Sequence, residues 1–155
     1  MKTRMIVLTL AFCVGATVAA FAKDDANVGT WKLDEAKSKI PAGASKNTSV
    51  VYTPEGDSYK CVVDGVDADG KPAHNEWTGK FDGKEYPVSG DPTSDNRAIT
   101  KVDARHYKLV GMKDGKPILT GTIVFSADGK TRTLTTNTTD ANGKKVTSTF
   151  VYDRQ

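Results

Sequence analysis

Cysteine is almost absent from this 155-residue sequence: only Cys13 and Cys61 occur, and Cys13 lies in an N-terminal apolar run expected to be removed. A chain left with one cysteine forms no internal disulfide, so its fold rests on a core rather than on staples. Helix formers are also scarce. Past residue 22 there are four leucines and four glutamates against sixteen threonines, which disfavours a helical bundle and favours strands. A one-sided charge is missing as well. Lys+Arg 22 against Asp+Glu 19 gives a formal +3, and loss of Lys2 and Arg4 with the N-terminal segment leaves 20 − 19 = +1. That is too small a basic excess for a nucleic-acid binder, so no nucleic-acid partner is expected. With only His74 and His106, and no third ligand at a recognisable spacing, a zinc site finds no support. Neither a nucleophile elbow nor a Gly-rich phosphate cradle occurs. The expectation is a protein without enzymatic activity, cofactor or metal.

The one long apolar run, Met5 to Phe21, follows Lys2 and Arg4 and ends in Ala20-Phe21-Ala22 before the polar Lys23-Asp24-Asp25. This arrangement reads as a secretory signal peptide, residues 1–22, cut near Ala22. A retained membrane helix would need roughly 20 apolar residues, and this run falls short of that. A lipoprotein anchor would need a cysteine at the cleavage point, whereas Cys13 sits inside the run behind Phe12. A secreted or periplasmic protein with no stable membrane anchor follows, comprising one domain over residues 23–155. A domain of this size buries enough apolar surface to stand without disulfides. Cys61, flanked by Tyr59, Val62 and Val63, reads as a buried strand residue.

What the sequence has in abundance is turn chemistry. Asp69-Gly70, Asp82-Gly83, Asp114-Gly115, Asp128-Gly129 and Asn142-Gly143 are each followed by Lys, and most are flanked by runs of Val, Ile, Thr and aromatics. Asp and Asn tolerate positive φ and Gly favours it, so these pairs fit tight hairpin turns. Alternation agrees: Leu119, Ile123 and Phe125 share one face while Thr120 and Thr122 share the other, and Val146, Phe150 and Tyr152 fall together. The spacing predicts strands over Gly29–Asp34, Lys46–Thr53, Ser58–Val66, Lys71–Phe81, Lys84–Val88, Asn96–Val102, His106–Met112, Lys116–Ser126, Lys130–Thr139 and Lys144–Asp153, with a short helical turn around Leu33 to Lys39. The fold class is therefore all-β, an antiparallel up-and-down meander of 8–10 strands. A meander of that size removes its edges most simply by closing into a barrel, with a flat or sandwiched sheet as the alternative. The acidic stretch with Asp67, Asp69, Gly70 and Glu76 half-matches a calcium loop, but Gly65 stands where the first ligand belongs, so ordinary hairpin turns are expected there.

Gly29-Thr30-Trp31-Lys32-Leu33 at the head of the first strand, with the long meander behind it, resembles the calycins, the superfamily of lipocalins and fatty-acid-binding proteins. In that superfamily the Trp of a Gly-x-Trp motif seals the barrel base beneath an Arg or Lys from the far end of the chain. The resemblance implies this role for Trp31, with Arg154 as its partner and Arg132 as the other candidate. An Arg over an indole face contributes about 0.5–2 kcal/mol. The tail Phe150-Val151-Tyr152-Asp153-Arg154 also looks like the last strand of fatty-acid-binding proteins, whose Arg-x-Tyr pair clamps a fatty carboxylate. Tyr152 matches the Tyr, but Phe150 stands in the Arg position, so the clamp is incomplete and fatty-acid specificity does not carry over. Glu35 to Ser45 is too short for that family's two-helix lid, which makes a lipocalin-like bacterial barrel the closer comparison.

Two readings of the interior follow. Residues 23–155 contain 31 Val, Ile, Leu, Met, Phe, Trp and Tyr residues, enough to fill a core or to line a hollow one. In the first reading Trp77, Phe81, Phe125, Phe150 and Tyr152 line a pocket for a small, mostly apolar molecule, at the end opposite Trp31, in a monomeric barrel. In the second the barrel is filled, and a cell-envelope structural or interaction module docks through an exposed patch that includes Tyr86-Pro87-Val88.

Overall fold

Turn chemistry and alternation together build the architecture. The computed structural model describes residues 25–140 and 142–155, and the expected signal peptide, residues 1–22, lies outside the described residues. Ten strands follow in chain order: β1 (Gly29–Lys39), β2 (Lys46–Glu55), β3 (Ser58–Val66), β4 (Pro72–Gly79), β5 (Asp82–Ser89), β6 (Asn96–Lys101), β7 (His106–Lys113), β8 (Lys116–Phe125), β9 (Thr131–Thr139) and β10 (Lys145–Arg154). Each pairs antiparallel with its sequence neighbour, and β1 closes on β10. The result is the all-β closed meander that the turn spacing predicts. No edge strand is left exposed among the described residues.

The hairpins form as their residues dictate. Asp114 and Gly115 both take positive φ, 50° and 72°, the signature of a two-residue turn whose twist suits antiparallel strands. At the acidic stretch between β3 and β4, Asp67 Oδ1 accepts from the backbone N–H groups of Asp69 and Lys71, so this carboxylate is used by the turn. In an up-and-down meander alternate hairpins fall at opposite ends. The β1–β2, β3–β4, β5–β6, β7–β8 and β9–β10 loops therefore share one end, the mouth, while the first residue of β1 and the last of β10 share the other, the base.

Two local expectations are corrected. Leu33 to Lys39 forms no helical turn; β1 runs through it with a register shift between Asp34 and Lys39 against β10. Within the bulge the Lys37 N–H donates to Asp34 Oδ1 at 3.1 Å, a local contact of helical spacing, while Ser38 Oγ donates to the Asp34 carbonyl at 2.6 Å and accepts from the Val151 N–H at 2.9 Å. Side chains thus replace the missing ladder bonds, and a segment too short to nucleate a helix stays in the sheet. The second correction concerns Phe81, expected in a strand. It sits in the turn between β4 and β5, and Asp82-Gly83 opens β5 instead of forming a tight hairpin. The chain narrows at Gly79, where a Cβ would lie 2.5 Å from the Trp77 ring and 2.6 Å from the Tyr86 ring. β4 and β5 share only the pairs Glu76↔Ser89 and Trp77↔Val88, the shortest seam of the barrel.

Candidate functional site

The base is built around Trp31, which is 0% exposed and donates its indole Nε1–H to the Asn27 carbonyl at 2.8 Å. Arg154 lays its guanidinium over the indole, 4.3 Å from the ring centroid. Its nitrogens donate to the carbonyls of Gly129 (2.8 Å), Val28 (2.7 Å) and Ala26 (3.0 Å). Gly29 makes this approach possible. Its φ is +130°, and a Cβ there would stand 2.7 Å from Arg154 Nη1, so the Gly and the Trp of Gly-x-Trp serve the same stack. Beside it the buried Asp25 carboxylate accepts from the Tyr107 hydroxyl on both oxygens at 2.9 Å and from Lys101 Nζ at 2.8 Å. Burial, then the hydrogen bond to Asp25, pushes the Tyr107 hydroxyl pKa well above its ordinary value.

Aromatic rings fill the space above. Trp31 meets Phe125 at 5.3 Å between centroids, Phe125 meets Tyr107 at 5.7 Å, and Tyr107 meets Phe81 at 5.4 Å. Phe81 stacks on Tyr59 at 4.4 Å and lies parallel to Trp77 at 6.2 Å. Three of the five residues expected on a ligand pocket, Trp77, Phe81 and Phe125, therefore pack in this aromatic floor and are not among the cavity walls. Alternation gives the face on which a residue lies, not its height in the barrel.

Above the floor the barrel is hollow. A cavity of about 510 Å³ opens between the floor and the mouth loops, within the range of small-ligand sites. Phe150 and Tyr152, the other two expected residues, line it, together with Val50, Val63, Leu109, Ile123 and Leu134. The filled-barrel alternative predicted a free patch at Tyr86-Pro87-Val88. Instead Tyr86 packs edge-on against Trp77 at 6.0 Å and donates its hydroxyl to Asp82, and Val88 joins the core.

The lower end of this cavity is polar. On β9 the inward residues run Arg132, Leu134, Thr136 and Thr138; Arg132 pairs with Phe125 of the floor on one side and with Tyr152 on the other. Arg132 is 3% exposed, with its guanidinium 5.2 Å from the centre of the Tyr152 ring. Its Nε and Nη1 atoms, and the Tyr152 hydroxyl, have no hydrogen-bond partner among the described residues. Arg97 also lines the cavity, but its Nη2 lies 3.3 Å from Asn75 Oδ1 and 3.6 Å from the Asp91 carboxylate. Cys61 is buried in the wall, and burial raises its thiol pKa while Arg97 and Arg132 oppose the rise. Burial likewise drives the Tyr152 hydroxyl up to about 12. The cavity thus holds Arg97, with Asp91 beside it, and Arg132, together with the Asp67 and Asp69 carboxylates, the Tyr152 hydroxyl and the Cys61 thiol, the last two keeping their protons at neutral pH. Its donors bind and orient electron-rich atoms.

The calycin resemblance offers Arg132 as the other candidate for the partner of Trp31. The structure gives that place to Arg154 and turns Arg132 inward. The signal was available in Thr131-Arg132-Thr133-Leu134-Thr135, where Arg132 alternates in phase with Leu134. His74 and His106 are both exposed; His74 Nδ1 lies 2.7 Å from Asp64, and His106 Nδ1 lies 2.8 Å from Asp103.

No family model matches the chain, and no curated protein does. Among solved structures it is similar to EF1p2_mFAP2b bound to DFHBI, with 12% identity and a TM-score of 0.50 over 84% of this chain and 94% of that one. It is also similar to a redesigned beta barrel, mFAP1, bound to DFHBI, with 17% identity and a TM-score of 0.45 over 84% of this chain and 99% of that one. At 12% identity the likeness to the first of these is one of fold, an antiparallel β-barrel.

Proposed function

We propose that this chain is a secreted or periplasmic, lipocalin-like calycin barrel that binds a small, mostly apolar molecule, acts as a monomer and performs no catalysis. The observation that carries the reading is the cavity of about 510 Å³ with aliphatic walls, placed at the end opposite Trp31. An ordinary folded core closes at native density and leaves few voids larger than a water molecule. A space this large is kept open by the aromatic floor beneath it and the closed ring of strands around it. The Trp31–Arg154 stack supports the calycin reading, because it joins the two ends of the chain over the Gly-x-Trp motif. That EF1p2_mFAP2b holds DFHBI supports placing a ligand in a barrel of this fold. The Lys2, Arg4 and Met5–Phe21 pattern supports export.

Titration with Nile red, a neutral apolar dye, tests the reading. The expected result is saturable 1:1 binding that weakens in Leu134→Trp, a substitution that narrows the cavity above the floor. Absence of saturable binding, or undiminished binding in that variant, would overturn it.

A further inference from the structure

The base of the barrel takes no part in binding, yet it buries an ionisable group against a phenol. Asp25 is 6% exposed and Tyr107 is 1% exposed. The Tyr107 hydroxyl lies 2.9 Å from both Asp25 oxygens, and the same carboxylate accepts from Lys101 Nζ at 2.8 Å and from the Asn27 backbone N–H at 3.0 Å. Of the five tyrosines, Tyr86 also donates to a carboxylate, that of Asp82, but at an exposed site. Tyr107 is the one that does so inside the core among the described residues. The two indoles differ from it. Trp31 Nε1 donates to the Asn27 carbonyl at 2.8 Å and Trp77 Nε1 to the Arg97 carbonyl at 3.1 Å, and a peptide carbonyl accepts a hydrogen bond without being basic enough to take the proton.

One ring connects Tyr107 to the rest of the floor. Phe81 stands edge-on to Tyr107 with centroids 5.4 Å apart, stacks on the half-buried Tyr59 at 4.4 Å, lies parallel to Trp77 at 6.2 Å and meets Tyr52, a residue of the cavity wall, at 6.0 Å. Four oxidisable rings thus surround one phenylalanine at separations across which an electron tunnels readily. Tyr59 opens the group to solvent and Tyr52 opens it to the cavity. Loss of an electron turns a phenol O–H into a strong acid, and a positive ring in a dry core is costly, so the oxidation comes to rest where a base takes the proton. Two cations reinforce the choice. Arg154 lies 4.3 Å from the centre of the Trp31 ring and Lys101 Nζ 5.7 Å from that of Tyr107, and each opposes a positive charge left on its ring. Trp31 has no base beside it, whereas Tyr107 has Asp25.

We propose that Tyr107 and Asp25 form a one-electron redox site, at which an oxidising radical that meets the aromatic floor from solvent or from the cavity is reduced. One electron passes from Tyr107 by way of Phe81 to the oxidant, the Tyr107 O–H bond breaks, and its proton forms a new O–H bond on Asp25. Phenol, carboxylate and oxidant become a neutral phenoxyl radical, a neutral carboxylic acid and the oxidant reduced by one electron. The oxidant class is a diffusible one-electron acceptor such as an organic peroxyl radical, which leaves as the hydroperoxide after taking a proton from water. The 2.9 Å between the Tyr107 and Asp25 oxygens is within reach of direct proton transfer. The site stands whether or not the cavity is occupied.

Photo-oxidation of the protein by tris(bipyridine)ruthenium with persulfate, read by electron paramagnetic resonance on frozen samples, tests the site. The native protein is expected to give one neutral tyrosyl signal, whose hyperfine pattern disappears in Tyr107→Phe and persists in Tyr86→Phe. Tyr107→Phe keeps the ring in the floor and removes only the hydroxyl. Asp25→Asn keeps a hydrogen-bond acceptor at that hydroxyl and removes the base, so phenoxyl formation, followed by flash absorption, is expected to slow by about a hundredfold, the low end of what a positioned base supplies. Formation in the native protein is also expected to slow in deuterium oxide, because a proton moves with the electron. The native hyperfine pattern surviving in Tyr107→Phe, or oxidation that settles on tryptophan in the native protein, would overturn the site. An Asp25→Asn variant as fast as the native protein would remove the carboxylate from the step and overturn the proposal with it. If Asp25→Asn does not fold, Tyr107→Phe and the deuterium effect decide the matter, and a native rate equal in the two solvents counts against the proposal.

Discussion

The two ends of this barrel solve opposite problems. At the base most polar groups find a partner: the Trp31 indole N–H reaches the Asn27 carbonyl, Arg154 reaches three carbonyls, and Tyr107 and Lys101 reach Asp25, while the buried Asn27 side chain has none among the described residues. Rings pack on rings above it. One level up, space is left open, and Arg132 and Tyr152 hold donors that nothing among the described residues accepts. A closed ring of strands allows the contrast, because one end can carry the stability while the other gives some of it up. Binding sites are commonly drawn from the less satisfied part of a fold.

The contrast breaks first at Trp31. Trp31→Ala removes the central side chain of the base and is expected to cost about 3–5 kcal/mol in urea unfolding. A loss below about 1 kcal/mol would show that the base does not carry the fold. Arg154→Met keeps an apolar cover over the indole and loses the three carbonyl contacts, so a cost of about 2 kcal/mol is expected by the same measurement. Arg132→Met tests the other end and should act with the opposite sign. Removal of an unpaired buried charge is expected to stabilise the ligand-free protein by about 1 kcal/mol, read as a higher Tm. A lowered Tm would mean that the cation is satisfied in the free barrel.

The smallest effect belongs to the rim. His74 is exposed, and its hydrogen bond to Asp64 holds its pKa above the ordinary 6.5. A raised folded pKa means that this contact stabilises fully below the unfolded value and is lost as pH rises through the folded one. NMR titration should place the His74 midpoint above 6.5, and Asp64→Asn should bring it down. The accompanying change in stability should be the slightest of the series, since exposed ion pairs contribute little.

How much of this was legible beforehand follows the range of the interactions involved. Hairpins depend on local chemistry, and Asp-Gly and Asn-Gly with alternating flanks were sufficient to place nearly every strand and to infer closure. Gly29 and Trp31 were legible as a motif, and the structure adds the reason for the glycine. Height within the barrel was not legible, because it depends on register around the whole ring. Trp77 and Phe125 do point inward, yet they stand at the level of the floor. The bulge at Asp34 to Lys39 was hidden because Ser38 bonds to Val151, more than a hundred residues away in sequence. Arg132 was hidden for a different reason. A charged residue in phase with Leu134 looks like an interruption of an apolar face until the missing partners are seen.

The central claim is that the cavity above the aromatic floor is occupied in the protein's own setting. Native mass spectrometry of the protein, purified gently from its producer before and after organic extraction, tests it most directly. The account predicts a stoichiometric extra mass that extraction removes. A bare protein mass, together with no saturable uptake of Nile red by the extracted protein, would contradict it.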